Sequence, residues 1–483
     1  MSTTLGIQAG VTTGSSLSGG SGSLPNDPIG TLDLYPDEIF GGYSTRRLKG
    51  VFPKLLPADY SGARAAYSLR KVRSGYPQSL PAEYGGGAAA AYSLRRVNGL
   101  YNGSAINVRR SSDNATKDIG FSDIGGLDTT ALLAFVNEDV DIYTSDFTSG
   151  NEDMAEVNGT GADGQTIGGV SDAYKFTLSG GAVAHYTRTD SSFDRVNSYD
   201  VSFDYYIPSG QTIDGIRVRT GATGDGEYDQ TTLDAWTSVA IENWTPTSKS
   251  TCRFNALVGS SIDPIDADGD VFYLKNIVIT QTTADGHVTT WYDQSGNGNS
   301  ATNLTASQQP LIVDGGTLVE ENSKAAVEYD GAGDQLALSS SISLGDSDFA
   351  INLVYRSLLT SSEDYVLFGQ SGQSRMRLYD YQVRLYISNV TYDFASSNNF
   401  GSQYLYTLEA DAARGLQVYR DGTATGSELT IASGDDFVQE FIGNGVTRPI
   451  NGRLQEVIIF NSDQSSNRTG IETNINDHFD IYT

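Results

Sequence analysis

Three groups of side chains in this chain could do chemistry, each of a different kind. The first is aromatic. Tyr205, Tyr206, Tyr228, Trp236 and Trp244 lie close together in sequence. A flat ring offers its face to the apolar side of a pyranose, while amides and carboxylates take the hydroxyls. Trp236, Trp244, Tyr205 and Tyr228 are therefore candidate carbohydrate contacts. Neighbours in a strand face opposite ways, so Tyr205 and Tyr206 cannot both serve one face. The alternative puts alternate members of the group in a core. The second group is acidic, in the run Asp263-Pro-Ile-Asp266-Ala-Asp268-Gly-Asp270. Calcium takes several hard oxygens, and Asp-x-Asp-Gly-Asp lets one turn gather them. Asp266, Asp268 and Asp270 are candidate Ca2+ ligands, although EF-hand spacing and its closing Glu are missing. A solvated acidic turn is the alternative. The third group is basic and repeated: Tyr43, Arg46 and Arg47, then Tyr67, Arg70 and Lys71. Such residues suit docking on an acidic protein surface, with tyrosines in shallow pockets.

The elements that must carry these groups differ along the chain. Gly42-Tyr-Ser-Thr-Arg-Arg-Leu-Lys-Gly50, Ala66-Tyr-Ser-Leu-Arg-Lys-Val-Arg-Ser-Gly75 and Ala91-Tyr-Ser-Leu-Arg-Arg-Val-Asn-Gly99 are versions of one unit. Ala, Leu and Arg favour helix, Gly ends it, and each unit reads as one or two helical turns. Residues 1–110 carry 12 Lys+Arg and 6 Asp+Glu, although the whole chain has a net charge of −28. A basic arm on an acidic body suggests a partner of its own. Residues 1–87 read as that arm, extended with short helices. Docking to neighbouring chains and packing on the chain's own body are both open. Repetition favours repeated sites, as an oligomer or particle provides.

Between residues 136 and 286 short alternating segments succeed one another, among them Tyr174–Leu178, Val201–Tyr205, Ile216–Val218 and Phe272–Ile279. Turns such as Ser209-Gly210 and Asp214-Gly215 separate them. This predicts a jelly roll of its own. From Ala326 to Phe460 the pattern repeats with further strands, and a helix is predicted over 465–479. The fold class is therefore all-β: two jelly-roll sandwiches, one inserted in the other.

Composition narrows function. The acidic body argues against nucleic acid and anionic membranes. No apolar run of about 18 residues could span a bilayer. Cys252 is the only cysteine, so there is no disulfide within the chain and no cysteine-rich zinc site. The three histidines share no ligand spacing. The first residues lack the basic start and apolar core of a secretory signal.

Two separated segments carry a resemblance. Ala91–Tyr101 with Ile106–Phe121, and Thr290-Trp-Tyr-Asp-Gln-Ser-Gly-Asn-Gly-Asn-Ser-Ala301, together resemble the opening of the catalytic sandwich of the arabinofuranosidase B family (glycoside hydrolase family 54). The same pattern is similar to lamin-G-like proteins of marine phages and bacteria. The resemblance covers residues 88–135 and 287–480. Segment 136–286 is weakly similar to carbohydrate-binding modules. Arabinofuranosidase activity would need a nucleophile and an acid carboxyl about 5 Å apart. The resemblance places the acid where this chain has Ile442-Gly-Asn444-Gly-Val446, without a carboxylate, and Phe349–Tyr355 offers no nucleophile. The family's adjacent bonded cysteines are absent too. The expectation is a non-catalytic phage particle protein, homo-oligomeric, anchored by its arm to other virion proteins and showing lectin-like domains to host glycans. A secreted arabinofuranosidase is the alternative. Asp293 and Asn297 are expected to close a turn through backbone hydrogen bonds, with Trp291 in the core.

Overall fold

The computed structural model describes residues 87–483 except 149, 151, 180–185, 194–195, 221–226, 247–249, 263–266, 360–364, 371–373, 380, 397–399 and 444–448, together with 42–44 and 66–68. All three Tyr-Ser units are strands: Gly42–Ser44 (β1), Ala66–Ser68 (β2) and Ala90–Ser93 (β3). The predicted helical turn is thus corrected for the third unit and for the first three residues of the other two, whose remainders lie outside the described residues. Every residue of β3 is buried. Ala90 and Tyr92 enter the main core, while Ala91 enters a second core under the C-terminal helix. A strand presents alternate residues to two layers, and that burial outweighs a weak helical propensity. β1 and β2 pair in parallel, with Tyr43 opposite Tyr67. Their side chains, and Arg46, Arg47, Arg70 and Lys71, lie outside the described residues.

After β3 come Ile106–Arg110 (β4), Thr116–Ile119 (β5) and a short helix, Thr129–Val136 (α1). Asp128 caps α1 by accepting from the Ala131 N–H at 3.0 Å. The chain then leaves this sandwich and builds two sheets of its own. One contains Val140–Ser145 (β6), Gly159–Ile167 (β8), Val170–Leu178 (β9), Tyr199–Tyr206 (β11), Thr237–Trp244 (β14) and Val271–Gln281 (β16). Its order is β14-β11-β16-β9-β8, with β6 also on β16. The other has five strands, Met154–Val157 (β7), Tyr186–Phe193 (β10), Gly215–Arg219 (β12), Tyr228–Gln230 (β13) and Ser250–Leu257 (β15), in the order β13-β12-β15-β10-β7. A core of residues from Tyr143 to Ile279 fills the space between them. Val140 pairs with Gln281, so the segment begins and ends side by side.

The chain re-enters the first sandwich through Gly286–Trp291 (β17), which pairs with β4, Trp291 opposite Ile106. The two halves of the split motif therefore meet. Beyond it, Phe349–Ser357 (β18) lies between Gln403–Ala410 (β19) and Asn451–Phe460 (β20). β20 also pairs with β3, Ala90 opposite Ile459. Arg468–Phe479 (α2) packs Ile471, Ile475 and Phe479 onto the second core. Among the described residues no helix is long and apolar enough to cross a membrane.

Candidate functional site

The split motif is a lock. The Asp293 carboxylate accepts from the N–H groups of Ala91 (2.9 Å), Ser295 (2.8 Å) and Asn299 (3.0 Å), and from the Ser295 hydroxyl (2.7 Å). Gln294 donates to the carbonyls of Ser93 and Arg95 and accepts from the Val97 N–H. Asn297 donates to the Ala88 carbonyl at 2.8 Å. Trp291 is fully buried, edge-on to Tyr92. The expected turn-closing role is what the geometry has, and the backbone it holds is β3. Arg95 completes the lock. Its Nε and Nη2 reach both oxygens of Glu456 at 2.8 and 3.0 Å, and Nη1 donates to Asn474. Ser93 donates to the same carboxylate at 2.6 Å. Arg95 and Glu456 are 1% and 0% exposed, so this is a sealed pair.

Burial pushes two carboxyls of the same sandwich up to about 7, Asp334 and Glu409. Neither is among the charges that perturb the other. Asp334 accepts from the Asp330 N–H, and Glu409 sits with Glu472 and Arg468 against α2. Asn444 lies outside the described residues.

The sugar-stacking candidates separate sharply. Tyr205 and Trp244 are 1% and 3% exposed and belong to the module core. Trp244 packs against Phe193 and Tyr228, and Tyr228 borders that core, opposite Val218. Tyr205 and Trp244 are corrected from ligand contacts to packing residues, while Tyr228 stays partly exposed at the edge of the core. Trp236, one residue before β14, is different. It stands partly exposed on the outer face of the six-stranded sheet. Tyr206 is 5.7 Å from it, ring centre to ring centre, and Tyr273 is 6.2 Å from Tyr206. Lys175 lies directly opposite Tyr273 in register. Lys175, Tyr273, Tyr206 and Trp236 thus form one row across β9, β16 and β11 to the residue before β14.

The row has a polar flank. Asp204 accepts from the Ser238 hydroxyl at 2.5 Å and from Asn276 at 2.7 Å. Lys275 donates to the Ser171 carbonyl. Trp236 Nε1 donates to the Ile167 carbonyl at 2.9 Å, which fixes the ring. The β8–β9 hairpin turns on Gly168 and Gly169, both at positive φ. A Cβ on Gly168 would come within 3.2 Å of both Tyr206 and Trp236. Burial, with Tyr206 alongside, raises the Tyr273 hydroxyl above its usual range, so it stays protonated and can donate.

Tyr206 belongs to the aromatic group read from the sequence and Tyr273 does not, and the outward direction of Tyr206 is legible there. In Tyr199-Asp-Val-Ser-Phe-Asp-Tyr-Tyr206 the residues Tyr199, Val201, Phe203 and Tyr205 share the buried face. Asp200, Ser202 and Asp204 share the other, and Tyr206 goes with them.

The acidic turn is only partly described. Asp270 accepts from the N–H groups of Thr212 and Ile213 through one oxygen, pinning that loop. Asp263 and Asp266 lie outside the described residues. No group of three metal-ligating side chains occurs among the described residues.

No family profile and no curated protein matches this chain. Solved structures with a likeness to it include the following three. The tandem CBM22-1–CBM22-2 domain of Xyn10C from Paenibacillus barcinonensis is 10% identical, covers 67% of this chain and 98% of that one, and has a TM-score of 0.22. Domain 4 of AbnA, a GH43 extracellular arabinanase from Geobacillus stearothermophilus, solved with arabinotriose, is 15% identical, covers 38% and 90%, and scores 0.27. The botulinum neurotoxin type G receptor-binding domain is 13% identical, covers 39% and 48%, and scores 0.27. This chain spans about half the length of that last domain. With TM-scores below 0.3, function has to come from the side chains themselves.

Proposed function

We propose that this chain is a non-catalytic glycan-binding protein, displayed by its N-terminal arm on a phage particle. The row Lys175–Tyr273–Tyr206–Trp236 carries the binding half of this reading. Its rings offer apolar surface to a sugar, and Asp204, Asn276 and Lys175 supply polar partners beside it. The contacts of Asp334 and Glu409 favour a binding role over an arabinofuranosidase. Each is held in a structural contact within the sandwich.

Trp236→Ala should weaken binding of the cognate oligosaccharide by about tenfold or more, the loss of one aromatic anchor. The melting temperature should barely move, because Trp236 lies outside the core. Trp244→Ala should instead unfold the module. A glycan array on the wild type, followed by calorimetry on both variants, checks this. Full affinity in Trp236→Ala would remove the row from the site.

The arm carries the display half. Its basic residues and repeated tyrosines suit an acidic, repeated partner surface of the virion. A chain beginning near Leu80 should fail to bind particles that lack the protein, while the full chain binds. Equal binding by the truncated chain would exclude the arm as anchor.

A further inference from the structure

The five-stranded sheet has an outer face of its own. In β12 the order is Ile216-Arg217-Val218-Arg219, in β15 Cys252-Arg253-Phe254-Asn255, and in β10 Tyr186-Thr187-Arg188. Ile216, Val218, Cys252 and Phe254 fill the module core, so the intervening residues face out. Strand register then aligns them. Arg219 lies opposite Arg253, and Arg253 opposite Arg188. In the adjoining row Arg217 lies opposite Asn255, and Asn255 opposite Tyr186. Segment 136–286 holds five arginines among 8 Lys+Arg, against 24 Asp+Glu. Four of those five gather on this one face.

Their charges are unevenly met. Arg217 is held by Asp229 at 2.5 Å and Glu227 at 2.8 Å. Arg219 has Glu227 at 3.6 Å, and its Nε reaches Asn255 Oδ1 at 3.3 Å. Arg253 lies over the Tyr186 ring, 4.7 Å from its centre. Neither Arg253 nor Arg188 meets an acid among the described residues. The Nε atoms of both, and Nδ2 of the fully buried Asn255, are buried donors without an acceptor. Like charges placed directly opposite repel, and a buried donor without a partner is costly. Among the described residues, Arg188, Arg253 and the three buried donors are left without an acceptor anion.

We propose that this face binds the carboxylate of a uronic acid, within a polysaccharide whose acidic units are separated by neutral sugars. A guanidinium fork matches a carboxylate with two parallel hydrogen bonds. Arg188 and Arg253 supply the forks, and Tyr186 ring surface for the pyranose. The acidic surroundings, with Glu227 and Asp229 at the rim, repel a densely charged chain such as nucleic acid. The site goes beyond the Trp236 row. The two lie on different sheets, and each can fail without the other.

The test is calorimetric titration of the full chain with a hyaluronan hexasaccharide, its carboxyl-reduced counterpart, decaglutamate and a thymidine decanucleotide. The acidic hexasaccharide should bind, and the reduced one at least tenfold more weakly. Arg188→Gln should lose at least tenfold in affinity, with a melting temperature unchanged or higher, since one like-charge contact is gone. Trp236→Ala should bind the acidic hexasaccharide as the wild type does. The proposal is overturned if the acidic hexasaccharide does not bind, or if both hexasaccharides bind equally. Tighter binding of decaglutamate or the decanucleotide overturns it too, as does an Arg188→Gln variant that melts lower with its affinity intact.

Discussion

Glu456→Ala should unfold the split sandwich at temperatures where the inserted module stays folded. The Glu456 carboxylate is fully buried, takes two donors of Arg95 and takes the Ser93 hydroxyl. Removing it strands a guanidinium that is 1% exposed. Breaking one side of a buried pair costs about 3–5 kcal/mol. That is a large part of the roughly 5–15 kcal/mol that holds a domain together. In a sandwich of this size it lowers the melting temperature by about 6–20 °C. Calorimetry should show two transitions drawing apart, with only one of them moved. Glu328→Ala serves as the comparison. Its ion pair with Arg453 leaves both side chains 27% exposed, and it should cost less than about 1 kcal/mol. Equal melting shifts for the two variants would mean that the sealed pair contributes no more than a surface one.

The second large effect is at Asp293. Asp293→Ala removes one acceptor from four donors, three of them backbone N–H groups. Unmet buried donors cost about 1–3 kcal/mol each and do not add fully, so a loss on the order of 3–5 kcal/mol is expected. The loss should be visible locally as well. Hydrogen exchange at Ala91 and Asn299 should quicken far more than exchange in β11 or β16 of the module. Asp293→Asn should fall between, because its amide keeps one oxygen but turns a donor toward donors. An unchanged urea midpoint for Asp293→Ala would show that Gln294 and Asn297 hold β3 without it.

The element types were readable because alternation is local. The runs around Val201, Ile216 and Phe272 gave strands, and strands they are. Three kinds of information were not local. Ala90–Ser93 has helix-forming residues, but its burial is decided by a distant partner, β20. Trp244 faces the core because Asn243, at a φ of 56°, breaks the alternation of β14. No residue count from Ile241 would place it there. The arginine rows are legible strand by strand, but register alone makes Arg188, Arg253 and Arg219 neighbours. Tyr206 is the exception, since its parity with Asp200, Ser202 and Asp204 was in plain view and marks it as outward.

The splitting of the sandwich also imposes a schedule on the ribosome. Arg95 and Glu456 are 361 residues apart. At roughly 5–20 residues per second, β3 emerges about 20–70 s before the strand that pairs with it. Throughout that interval Ala90, Ala91 and Tyr92 are an unpaired apolar edge, able to pair with another growing chain. The inserted module need not wait, since its last strand is made long before β20. It can close while the sandwich that holds it is still in two pieces. Crowded polysomes should therefore lose more of this protein to aggregation than sparse ones, and the aggregates should contain a folded module beside an unfolded host.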